Sequence, residues 1–137
     1  MAIDNSTIDK IGPRTAFLLP NTGGLGREHE PHLHVCVTEP DKDGNVLCVP
    51  VGSHQDGMDT TCLLNKGDHD YISKKSIVYY GHAKIKQSKS IIANINSKNY
   101  EHWEDVKQDV YSRITKGVLS STHTKPALKK YARLQWN

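Results

Sequence analysis

Along most of this chain apolar residues come in short runs, each stopped by glycine, proline or aspartate, a pattern that predicts strands rather than helices. Thr15 to Leu19 is the first run. It ends at Pro20 and leads into Asn21 to Gly26, whose three glycines permit left-handed backbone and predict a flexible loop. From His32 to Thr38 the residues alternate, so Leu33, Val35 and Val37 share one face while His32, His34, Cys36 and Thr38 share a wetter one. Glu39 to Asn45 supplies a proline, a glycine and turn-forming aspartates before Val46 to Val51 runs apolar again, which predicts a hairpin. Further strands are predicted over 60–64, over 76–85 with Gly81 as a bulge, and over 90–95. The period then changes. Trp103, Val106, Val110, Ile114 and Val118 recur at intervals of three and four and lay an apolar stripe along an amphipathic helix. Acidic Glu101, Glu104 and Asp105 near its start and basic Arg113 and Lys116 near its end suit the helix dipole. Thr124 to Tyr131 predicts a second short helix that tolerates Pro126 in its first turn.

Many short strands with a closing helix favour a mainly β fold, a barrel or sandwich, over an α/β sheet. The 137 residues suit one domain spanning 1–137, with a loosely ordered N-terminal segment at 1–13, a β-barrel over 14–96 and a C-terminal helical part over 97–137. Hydrophobic residues at 36% and charged residues at 24% provide for a modest core. The N-terminus has no basic region followed by an apolar one, and no run approaches the roughly 20 apolar residues that span a bilayer, so a cytoplasmic location is expected and no membrane partner. Cys36, Cys48 and Cys62 are odd in number and lack paired spacing, which reads as buried reduced thiols.

The formal net charge of +3 is unevenly spread. Asp41 to Asp70 carries six aspartates against two lysines, whereas Lys74, Lys75, Lys84, Lys86 and Lys89 follow with no acidic residue between them. Such a stretch suits a phosphate backbone or simply a solvated face. Among the eight histidines, His32 and His34 point the same way from one strand, which suits a proton-transfer pair, two metal ligands or ordinary surface histidines. Ser53 and His54 follow the third strand, where a rim would show a hydroxyl and an imidazole; Gly67-Asp68-His69 is a tight turn that would show a carboxylate and an imidazole. Arg27 ends the glycine-rich loop, and an arginine there can close on a phosphodiester as a bidentate donor. Neither phosphate-binding glycine motif, no nucleophile elbow, no HExxH and no CxxC is present. Histidine, arginine, lysine and serine without a cofactor suit RNA cleavage by the 2′-hydroxyl.

The strand PHLHVCVTEP, the strand NVLCVPVGSH, the segment SIVYYGHAKI and the closing helix together resemble the MazF/PemK-like toxin family over roughly residues 14 to 120. The resemblance implies an SH3-like β-barrel, commonly a homodimer, that cleaves single-stranded RNA without a metal and is neutralised by a cognate antitoxin. By position, Ser53 and His54 fall on the family's rim of small hydroxyl residues, with Ser53 as positioning donor and His54 as general acid or base. Lys84 and Lys86 fall where the later strand would meet the RNA backbone. The family often has an arginine just before the proline that opens the second strand; Glu30 stands there, and Arg27 is the nearest arginine. HLH, GDH and Cys62 look like features of a divergent subgroup with a site of its own around His32, His34 and His69. Two other readings fit the same residues: a non-catalytic barrel that binds nucleic acid or protein through the rim and the Lys84 to Lys89 stretch, and a small metal or redox module using His32, His34, Cys62 and His69.

Overall fold

The computed structural model describes residues 2–3, 7–19 and 31–137. Among these residues seven strands and three helices follow one another: β1 (Ala16–Leu19), β2 (His32–Cys36), β3 (Asn45–Ser53), β4 (Leu63–Leu64), β5 (Ser76–Val78), β6 (Lys84–Gln87), α1 (Ser88–Asn96), β7 (Glu101–Trp103), α2 (Gln108–Ser120) and α3 (Pro126–Trp136). All strand pairs are antiparallel. The sheet runs β4-β5-β3-β2-β1-β7, and β6 also pairs with β3. The two end strands do not pair with each other, so the described strands form an open sheet and not a closed barrel. No helix among the described residues is long and apolar enough to cross a membrane.

The predicted hairpin forms with Cys36 opposite Cys48 and Leu33 opposite Val51. Its turn is organised by Asp41, whose carboxylate accepts the backbone N–H groups of Asp43 (2.8 Å) and Asn45 (3.0 Å), while Gly44 takes a φ of 81°. One edge of β3 is occupied twice, by β5 at 51–53 and by β6 at 45–48. The single strand expected over 76–85 is therefore split by a 3₁₀ turn at Tyr80–His82. Pro50 is the cause. It lacks the N–H that a continuous ladder needs on that edge, and the chain bulges outward opposite it, leaving only Tyr79 N–H to reach the Pro50 carbonyl at 2.9 Å.

Leu33, Val35, Val37, Leu47, Val49 and Val51 form one buried face of the sheet. Val110, Ile114 and Val118 of α2 and Ala132 of α3 pack on it. Each buried valine, leucine or isoleucine among them contributes roughly 1.5–3 kcal/mol. The helix itself is shorter than its stripe predicted: Trp103 lies in β7 and Val106 in the connection, though both join the same core. The opposite face is not the wet one expected. Residues 90–95 form part of α1 instead of a strand, and Ile91 and Ile95 cover Phe17, Cys36, Val46 and Cys48. His34 is sealed beneath that cover, stacked on Phe17 with ring centroids 5.6 Å apart. The described part of the N-terminal segment docks there too, with Ile11 buried and Ile8 exchanging backbone hydrogen bonds with the Asn96 amide at 2.9 Å.

Candidate active-site cleft

Three strands of an antiparallel sheet meet at one rim: β2 begins there, β3 ends there, and β5 begins there with Ser76 opposite Ser53. A cleft of about 350 Å³ opens at this rim, lined by His32, Ser53, Tyr71, Lys74 and Ser76 among others. Tyr79 forms its support. Its hydroxyl donates to the Ser53 carbonyl at 2.9 Å, and its ring packs so closely over Gly52 that a Cβ there would come within 2.5 Å of it. Tyr71 donates its hydroxyl to the Pro31 carbonyl at 3.1 Å, which ties the 70s loop to the start of β2. The Ser76 hydroxyl donates to the Lys74 carbonyl at 2.9 Å.

His32 is only 5% exposed, and its Nδ1 is buried with no hydrogen-bond partner. His32 lines the cleft at the start of β2, and its ring packs against the Tyr79 ring with centroids 6.2 Å apart.

The other residues singled out from sequence are spread over several places. His54 is half-buried beside Ser53, its backbone N–H donated to the Lys75 carbonyl at 3.1 Å. Lys84 and Lys86 pair with Cys48 and Val46, and Ser53 lies five or more residues further along β3, roughly 16 Å away at 3.3 Å per residue. They do not line the cleft; among the described residues Lys74 is the cation that does. His34 is buried and bonded through Nδ1 to the His32 carbonyl at 3.0 Å. Burial pushes its pKa down to about 4, assisted by the nearby Lys86 and Lys84 charges and opposed by that hydrogen bond. His69 is also internal. Its Nδ1 accepts the Tyr71 N–H at 3.0 Å and its Nε2 donates to the Glu104 carbonyl at 2.8 Å, so both nitrogens are engaged and the ring positions Tyr71. Arg27 lies outside the described residues.

The cysteines are free and buried. Cys36 and Cys48 face each other across the hairpin with their sulfurs 3.6 Å apart, and that thiol contact together with burial holds the Cys36 pKa high. Cys62 sits apart in the main core. Among the described residues no three histidine, cysteine or acidic side chains come together as a metal site requires.

Sequence reasoning missed Tyr71, Lys74, Ser76 and Tyr79. One signal was available: any strand pairing antiparallel with the end of β3 must begin at the same rim, which brings Lys74 and Ser76 to Ser53. No protein-family model matches the chain, and no curated protein matches it.

Proposed function

We propose that the protein is a toxin-like endoribonuclease that cleaves single-stranded RNA without a metal and is neutralised by a cognate antitoxin, in the manner of the MazF/PemK-like family. The observation that carries this reading is the rim cleft, whose lining brings together Ser53, Ser76 and Lys74 from the end of β3 and the start of β5, with His32 beside them. Those groups match a phosphodiester: Lys74 offsets its charge and Ser53 positions it by donating a hydrogen bond. In this mechanism the RNA 2′-oxygen attacks phosphorus and gives its proton to a base. The bond to the 5′-oxygen breaks, and that oxygen takes a proton from an acid, leaving a 2′,3′-cyclic phosphate and a free 5′-hydroxyl. His54, next to Ser53 in the chain, is assigned to one of these two proton transfers, as general base or general acid, and Arg27, which precedes β2 in the sequence, is assigned to the phosphate. Lys84, Lys86, His34 and His69 are not assigned to catalysis. The reading also takes the open sheet as a variant of the SH3-like barrel and the protein as a cytoplasmic homodimer.

Cleavage of a long mixed-sequence RNA in excess EDTA tests it, with the product ends analysed. The wild-type chain is expected to cut at discrete sites and leave cyclic phosphate ends. Ser53→Ala and Lys74→Ala should slow cutting, and His54→Ala should lower the rate by about 10²-fold or more. Intact RNA with the wild-type chain would overturn the enzymatic reading. If the RNA is bound but uncut, and binding weakens with salt, the non-catalytic reading takes its place; the acid-free run from Lys74 to Lys89 favours that alternative.

A further inference from the structure

Strand β6 has β3 as its neighbour on one side and, among the described residues, no strand on the other. The phase of its ladder follows from the Ser88 N–H, which donates to the Gly44 carbonyl at 2.8 Å. Because bonded and non-bonded pairs alternate along an antiparallel ladder, Lys86 and Lys84 also direct their backbone groups to β3. The N–H and C=O of Ile85 and the N–H of Gln87 therefore point away from the sheet. The side chains divide by face. Lys84 and Lys86 lie on the face of Cys48 and Val46, and Ile85 lies on the face of Leu47. Leu47 is fully buried, whereas Ile85 is 41% exposed and is one of only three large apolar side chains so exposed among the described residues. Lys89 follows in the first turn of α1, and no acidic residue occurs from Lys74 through Tyr100.

An unpaired edge with an exposed isoleucine is a template for another strand, and charge decides which strand it accepts. A second β6 laid antiparallel would set Lys84 and Lys86 against the same lysines, and like charges directly opposite are destabilising. An acidic strand would instead meet three lysines that have no carboxylate on their own segment.

We propose that β6 is a docking edge for an extended acidic segment of a protein partner, which adds to the sheet antiparallel beside Ile85. The Ile85 and Gln87 backbone supplies the hydrogen bonds, Ile85 the apolar contact, and Lys84, Lys86 and Lys89 the selection for acidic side chains. This edge lies at the end of β3 away from the rim cleft, so the inference does not depend on the chemistry assigned to that cleft.

The test is titration of the isotope-labelled full chain with a short peptide of alternating glutamate and valine, followed by amide NMR and hydrogen exchange. Saturable shifts centred on Ile85 and Gln87, slowed exchange of those two amides and weakening with added salt are expected, with none of these from the matching lysine–valine peptide. Ile85→Pro removes an outward amide while leaving the β3 ladder intact, and should abolish the response without changing the melting temperature. Should that variant fold poorly, the pair Lys84→Glu and Lys86→Glu serves instead, and is expected to weaken binding by roughly tenfold. No saturable shift, or equal binding of the lysine peptide, would overturn the proposal. So would concentration-dependent protection of the Ile85 amide without peptide, which would make a second copy the occupant.

Discussion

Gly117 shows how little a single residue's propensity decides. Alanine in place of a helical glycine ordinarily gains about 1 kcal/mol. Here a Cβ would overlap the hydroxyl of Tyr80, a fully buried ring whose O–H donates to the Ile114 carbonyl at 2.7 Å. Overpacking of that kind costs about 1–3 kcal/mol and outweighs the propensity gain. Gly117→Ala is therefore expected to lower the denaturant midpoint, and a midpoint that stays or rises would show that Tyr80 and α2 do not pack this closely. At this scale the sequence was only half legible. Alternation assigned His32 and His34 to one face correctly, since their register partners are Leu19 and Phe17. It could not say that one lines a cleft while the other is stacked in a second core, because that difference is made by α1, more than fifty residues away.

The β2–β3 turn and α3 form a clasp. Asp41 accepts the Tyr131 hydroxyl at 2.7 Å through one carboxylate oxygen and two backbone amides through the other. These hydrogen bonds hold its pKa below the usual aspartate range, that to Asn45 first and that to Tyr131 next. Tyr131→Phe removes one hydrogen bond and should cost about 1 kcal/mol. Asp41→Ala also undoes the turn and should cost more. Equal unfolding midpoints for the two variants would show that the turn does not need Asp41. The hairpin and both C-terminal helices were legible because their signals are local: turn formers, an apolar stripe, and a proline suited to a first helical turn. Residues 90–95 misled because isoleucine-rich runs this short fit strand and helix alike. Ile91 and Ile95 stand four apart, and only the need to cover Phe17, Cys36 and Cys48 selects the helix. The split between β5 and β6 had a local cause in Pro50, but its place became visible only once β3 had a partner on that edge.

For the molecule as a whole, the buried His34 sets an acid limit. It stays neutral down to about pH 4 in the folded chain, whereas an unfolded histidine takes its proton near pH 6.5. The unfolded state therefore binds the extra proton between those values, so stability is fully present above about pH 6.5 and falls as pH drops toward 4, by on the order of 3 kcal/mol. His34→Gln should flatten this part of the stability–pH curve when unfolding is followed from pH 7 to 4, and an unchanged slope would assign the acid sensitivity to other groups. From its own residues the sequence determined what depends on neighbours in the chain: a β-rich first part, the hairpin, the helical C-terminus, reduced thiols and a basic segment after Lys74. Tertiary structure alone decided what depends on residues distant in the chain. Helices cover both faces of the sheet, the sheet stays open, Tyr71, Lys74 and Ser76 join Ser53 at one rim, and Lys84 and Lys86 lie far from it on a free edge. The physical reason is that periodicity records which face a side chain takes, whereas the neighbour across a strand or beneath a helix is set by register and packing between segments far apart in sequence.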